Sequence, residues 1–211
     1  EALEAHLCGR AVALEKKSGG IRPVACGSTL RRIAARAACR ADKEGLTKAA
    51  GNLQYGVGIA AGAEKVHKIL CVLSELRAEA VFLKLDAKNA FCSVNRGHLR
   101  KRVAERLPHL TRVVDAWYGQ AAEHRWWDEG GQAHKLRAER GVDQGCPLSP
   151  ALFSVALAEE LAELLQSLRQ RDPRAQLVAY LDDIFIVVSP EHTDFALGEA
   201  SPMVLLDVDF W

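Results

Sequence analysis

Hydrophobic and polar positions follow two different periods along this chain, and the switches between them mark out its elements. Apolar residues 12–14 precede Lys17-Ser18-Gly19-Gly20, and Ile21-Arg22-Pro23-Val24 resumes after it, which predicts a strand, a tight turn and a strand. Thr29 can cap a helix running to about Asp42, with Leu30, Ile33, Ala34, Ala37 and Ala38 on one face. Val66, Ile69, Leu70, Leu73 and Leu76 recur at helical spacing and predict a helix over 62–79. Residues 80–85 read as a buried strand ending at Asp86, and residues 97–119 as helix broken near Pro108. Residues 121–127 and 133–140 can pair as a hairpin across Gly130-Gly131. An apolar helix over about 150–170 follows Pro147 and Pro150. Two β-rich runs, 176–180 and 184–188, flank Leu181-Asp182-Asp183. The irregular alternation, with no internal repeat, points to an α+β fold rather than a doubly wound sheet.

Composition changes this picture little. The 211 residues suffice for one domain or two joined lobes, and 49% apolar with 26% charged residues is ordinary for a globular chain. A net charge of +1 does not by itself mark a nucleic-acid binder. Two basic stretches, Arg31/Arg32/Arg36/Arg40 and Arg96/Arg100/Lys101/Arg102/Arg106, read first as solvated helix faces, and clusters of this kind can also hold phosphates. The six cysteines form no CxxC pair and no zinc-like spacing, which suits small core or surface positions in a reducing compartment. No apolar run reaches the roughly 18 residues needed to span a membrane. Residues 1–10 carry Glu1, Glu4, His6 and Arg10, unlike a signal peptide, so the expected setting is intracellular, the nucleus included, and not secreted. The chain opens on Glu1 without a methionine and reads as a piece of something longer.

Three segments carry chemistry. Asp182 and Asp183 stand between two strongly apolar β runs, where paired acids are costly unless neutralised; a divalent metal is one way, and a plain Asp-Asp turn is the alternative. Asp86 ends another apolar strand, where it could equally cap a helix. If that strand lies beside the 176–188 hairpin, three carboxylates converge on an oxygen-rich site suited to Mg²⁺. The third segment is Gly141-Val142-Asp143-Gln144-Gly145-Cys146-Pro147-Leu148-Ser149-Pro150. Its glycines allow close backbone approach, and Gln144 offers a donor and an acceptor.

Together these segments resemble the reverse transcriptase family, and most nearly its non-LTR retrotransposon type. Leu85-Asp86-Ala87-Lys88-Asn89-Ala90-Phe91 looks like the first palm motif, Gly141–Pro150 like the Gln-Gly motif, and Tyr180-Leu181-Asp182-Asp183 like the Tyr-x-Asp-Asp turn. Upstream, Lys16–Val24 resembles the fingers hairpin, and Leu53-Gln54-Tyr55-Gly56-Val57-Gly58 with Gly62-Ala63-Glu64 the segment non-LTR enzymes carry before the first Asp. Five motifs in family order form a specific signal over about residues 10–189.

The resemblance implies a right-hand polymerase fingers and palm, with an antiparallel palm sheet packed on helices and no thumb. The implied segments are fingers and pre-palm over 1–80, palm over 81–189 with a fingers-like insertion near 108–140, and a tail at 190–211 that does not match the family. Asp207 and Asp209 read there as loose tail acids. The implied roles are Asp86, Asp182 and Asp183 as catalytic ligands of two Mg²⁺ ions, with Mn²⁺ as a substitute and Asp183 the more peripheral. Phe91 is the implied steric gate against a 2′-hydroxyl, and Arg22 with Lys16 the contacts to the incoming triphosphate, Lys17 being an alternative. Gln144 and Gly145 would line the nucleotide and template path, and Tyr180 would pack near the primer end. The implied partners are an RNA template, a DNA primer and deoxynucleoside triphosphates, with no membrane and the oligomeric state open. Competing readings are a non-catalytic nucleic-acid-binding remnant of a mobile element, an RNA-templated RNA polymerase, and more distantly a two-metal nuclease.

Overall fold

The computed structural model describes residues 7–15, 21–87, 89–201 and 206–210; of residues 21–23, 87 and 206–210 only the backbone is described. In chain order come β1 (Arg10–Glu15), β2 (Ile21–Cys26), α1 (Thr29–Ala41), α2 (Lys43–Ala50), α3 (Gly62–Leu76) and β3 (Val81–Ala87). They are followed by α4 (Ala90–Ser93), α5 (Arg96–Arg106), α6 (Thr111–Tyr118), β4 (Ala122–Trp127) and β5 (Ala133–Ala138). The last are α7 (Ser149–Arg171), β6 (Gln176–Tyr180), β7 (Asp183–Val188), α8 (Thr193–Ala200) and β8 (Leu206–Phe210). The break at Pro108 is a 3₁₀ turn, Pro108–Leu110, because proline cannot supply the backbone N–H that would continue α5. The chain divides into two units, residues 1–45 with 91–156, and residues 46–90 with 157–211.

In the first unit the sheet runs β2-β1-β4-β5. β1 pairs antiparallel with β2, and β4 with β5 across a turn in which Gly131 takes a positive φ of 78°. The turn Lys17–Gly20 lies outside the described residues. Helix α1 begins one residue earlier than its sequence suggests, because Ser28 Oγ accepts from the Arg31 N–H at 3.3 Å and is the cap. Its buried face also differs from the expectation. Arg31 and Ala35 are buried, whereas Leu30 and Ile33 are 66% and 60% exposed.

In the second unit the sheet runs β6-β7-β3-β8, antiparallel at each pairing. Strand alternation sorts it into two faces. Leu83, Leu85, Leu177, Ala179, Ile184, Ile186 and Val188 enter one core with Leu161, Leu164, Leu165 and Leu168 of α7. Each buried leucine, isoleucine or valine among them is worth about 1.5–3 kcal/mol of burial. The opposite face is left for Lys84, Asp86 and Asp183.

The described residues of 190–211 form regular elements, so the expectation of loose tail acids at Asp207 and Asp209 does not hold for their backbone. Ala196 and Ala200 of α8 are fully buried in this core, and β8 pairs with β3 in register, Asp207 opposite Asp86 and Asp209 opposite Lys84. The signal was present as period-two alternation, Leu206-Asp207-Val208-Asp209-Phe210.

Candidate active site

Asp86 reaches its position because β3 is an apolar strand whose Leu83 and Leu85 point into the core, so that Lys84 and Asp86 point away from it. β7 does the same with Ile184 and Ile186, leaving Asp183 on the outer face. The register then sets Asp86 directly opposite Asp183. Cross-strand partners stand with Cα atoms about 4.5–5.5 Å apart, so two carboxylates share one small patch of sheet. Asp182 precedes Asp183 in the two-residue turn closed by the Tyr180–Asp183 pair. In that turn Leu181 takes a φ of 57°, a left-handed conformation uncommon for a branched side chain.

The Lys84 ammonium lies 3.0 Å from Asp183 Oδ1, with both side chains partly exposed. A cation is therefore seated where like charges would otherwise repel, and the oxygen-only donors of Asp86, Asp182 and Asp183 suit a hard divalent ion. Among the described residues no group of three or more His, Cys, Asp or Glu is gathered closely enough to count as a metal cluster.

In the first unit the Gln-Gly loop is fixed by Asp143. This carboxylate is 6% exposed and lies 2.9 Å from Arg31 Nη2, while its Oδ1 accepts from His124 Nε2 at 3.2 Å. The Gly9 N–H donates to His124 Nδ1 at 3.1 Å, which assigns the neutral Nε2–H tautomer. Burial pushes the Asp143 carboxyl up, but the His124 hydrogen bond and the Arg31 charge outweigh it and hold the group below the ordinary aspartate range. The Arg31 guanidinium also lies over the rings of Trp117 and Tyr118, at 5.0 and 5.2 Å. Buried Arg96 closes the other end of the loop, donating to the carbonyls of Gly141 at 2.9 Å and of Gln120 and Ala138 at 3.0 Å. The reading of both basic stretches as solvated faces thus fails for Arg31 and Arg96. Gly145, at φ 142°, passes so close to β2 that a Cβ would stand 2.7 Å from the Ala25 carbonyl oxygen.

The remaining residues singled out in the sequence are placed as follows. Phe91 stacks on Phe153 with ring centroids 4.7 Å apart. Gln144 is partly exposed on the loop, and Tyr180 partly exposed at the end of β6. Arg22 lies in β2 opposite Leu14 by its backbone, and Lys16 lies outside the described residues. No individual role for Asp143, His124 or Lys84 follows from the sequence, and Arg31 reads there only as one member of a basic stretch. Only Lys84 carried a usable signal, its two-residue spacing from Asp86.

The model of the reverse transcriptase (RNA-dependent DNA polymerase) family matches residues 14–204. The chain belongs to that family. The match extends past residue 190, in agreement with the packing of α8. A curated relative, the retrotransposable element SLACS 132 kDa protein of Trypanosoma brucei gambiense, is 29% identical over 182 residues, covering 84% of this chain and 15% of the relative. The relative is a retrotransposable-element protein, consistent with the retrotransposon resemblance of the motifs. Among solved structures, apo telomerase from Candida tropicalis aligns with a TM-score of 0.67 at 14% identity, covering 97% of this chain and 43% of that one. Telomerase from Candida albicans in complex with a TWJ fragment of telomeric RNA aligns with a TM-score of 0.65 at 13% identity, covering 97% and 42%. These likenesses show the α+β fingers-and-palm fold. The chain spans a small part of the curated relative and less than half of each of these two telomerase chains.

Proposed function

We propose that this reverse transcriptase domain synthesises DNA on an RNA template, transferring a nucleotide from a deoxynucleoside triphosphate to a primer 3′-hydroxyl. The observation that carries the reading is the register of Asp86 against Asp183, with Asp182 beside it in the turn. Asp86, Asp182 and Asp183 would hold two Mg²⁺ ions, or Mn²⁺, which when bound would acidify the primer hydroxyl and offset charge on the leaving pyrophosphate. The carboxylates face away from the core, so a primer terminus and a triphosphate can reach them without unfolding the sheet.

The other roles rest on family resemblance. Arg22, with Lys16, would grip the triphosphate, a task suited to the planar, permanently charged guanidinium. Phe91, braced by Phe153, would close the space a 2′-hydroxyl needs. Gln144 and Gly145 would line the template path on a loop pinned by Asp143, and Tyr180 would pack near the primer end. Residues 1–80 would then serve as fingers and pre-palm, with the palm beginning at residue 81.

The test is primer extension on an RNA template with Mg²⁺, comparing deoxynucleotides with ribonucleotides. Deoxynucleotide-dependent extension that EDTA abolishes is the expected result. Ribonucleotide preference would favour an RNA polymerase. Binding of primer–template without any extension would favour a non-catalytic remnant.

A further inference from the structure

The turn that carries Asp182 holds Leu181 at a φ of 57°, and a non-glycine residue keeps such a conformation only where its surroundings enforce it. The enforcing group is Gln54, which is 1% exposed and 127 positions away in sequence. Its Nε2 donates to the Leu181 carbonyl at 3.2 Å, and its Oε1 accepts from the Leu181 N–H at 2.7 Å. The same Oε1 accepts from the Gly56 N–H at 2.9 Å. Two backbone donors converging on one atom identify it as the oxygen, so the orientation of the amide is settled. The flanking backbone adds support: the Tyr55 N–H donates to the Ala179 carbonyl at 2.7 Å and the Ala179 N–H to the Leu53 carbonyl at 2.8 Å. Gly56 allows this close approach, since a Cβ there would stand 2.7 Å from Leu181 Cγ.

We propose that Gln54 is a positioning residue for the ion-binding carboxylates. Both polar backbone groups of Leu181 are held by one side chain. Fixing the Leu181 carbonyl fixes the peptide plane that joins Leu181 to Asp182, and that plane sets the direction in which Asp182 leaves the backbone. The site needs a donor and an acceptor on one arm of this length. Glutamate keeps the acceptor but places a second acceptor against the Leu181 carbonyl, and asparagine is one methylene short. This proposal rests on the reading of Asp86, Asp182 and Asp183 as ion ligands.

The test is Mn²⁺ binding followed by electron paramagnetic resonance in wild type, Asp182→Asn and Gln54→Glu, with hydrogen exchange of the Leu181 amide measured alongside. Loss of a partner that orients a ligand typically weakens metal affinity by about 10–100-fold. Gln54→Glu should therefore raise the Mn²⁺ dissociation constant at least about tenfold. It should also speed Leu181 exchange, while the urea midpoint still shows a folded protein. Unchanged Mn²⁺ affinity in folded Gln54→Glu overturns the proposal. Should that variant fail to fold, Leu181→Gly added to it relieves the positive-φ strain, and unchanged affinity in the double variant overturns the proposal equally. If Asp182→Asn itself leaves Mn²⁺ binding intact, the ion-site reading falls and takes this proposal with it. If only Gln54→Glu does so, the positioning role alone falls.

Discussion

Replacing Arg31 by methionine removes the positive charge paired with Asp143 while keeping much of the buried volume. The pair is 2.9 Å apart with side chains 2% and 5% exposed. In an effective dielectric of about 20, a pair at this separation attracts by roughly 6 kcal/mol before desolvation is counted. The cost of burying both ions offsets most of that gain, but removing one partner strands the other. The expected loss is therefore about 3–5 kcal/mol, a large share of the roughly 5–15 kcal/mol that holds a domain folded. His124 cannot make up the difference, because both its ring nitrogens are already engaged, Nδ1 with the Gly9 N–H and Nε2 with Asp143. Asp143→Asn keeps an acceptor for His124 and removes the stranded charge, so Arg31→Met/Asp143→Asn should recover at least about 2 kcal/mol, a coupling within the range for contacting residues. Urea unfolding at pH 7, read by tryptophan fluorescence, measures this directly, since Trp117 lies against the guanidinium. A single-variant loss below about 1 kcal/mol, the value of an exposed pair, would refute the reasoning, as would additivity of the two substitutions.

Three further outcomes follow from the same geometry. Gly145→Ala combines a left-handed φ with a 2.7 Å approach to the Ala25 carbonyl, so it should cost about 1–3 kcal/mol more than Gly131→Ala, which also has positive φ but faces open space; paired urea curves check this. Asp143 and Asp172 both titrate below the ordinary range despite burial, the first through His124 and Arg31, the second through Ser189, Arg174 and Arg77. Because the unfolded chain takes up these protons first, stability present above about pH 4 should fall progressively below it, and Asp172→Asn should flatten that fall in a urea–pH series. Phe91→Ala should raise ribonucleotide relative to deoxynucleotide incorporation by about tenfold, equivalent to about 1.4 kcal/mol; an unchanged ratio in a primer-extension assay would remove Phe91 from sugar selection.

Local pattern carried much of the fold. The apolar spacing from Val66 to Leu76 marked a helix, Pro108 marked a break, and the apolar runs put Asp86 at a strand end and Asp182-Asp183 between two strands. What the sequence hid depends on contacts between distant residues. Arg31 looked like a solvated helix charge because Asp143, its partner, lies 112 positions on. Leu30 and Ile33 looked like the buried face of α1, but the helix is oriented by Arg31 reaching that partner. Gln54 belonged to a segment with family resemblance, yet nothing near it in sequence shows that its amide spans Leu181. β8 is legible in its alternation alone, since the residues around it match no motif.

Asp86, Asp182 and Asp183 are proposed as the ion-binding centre of a DNA polymerase that copies RNA. Primer extension on an RNA template in Mg²⁺, comparing wild type with Asp182→Asn at matched folded concentration, tests it most directly. Extension by wild type and none by Asp182→Asn is the predicted result. Metal-dependent extension that survives Asp182→Asn would contradict the assignment.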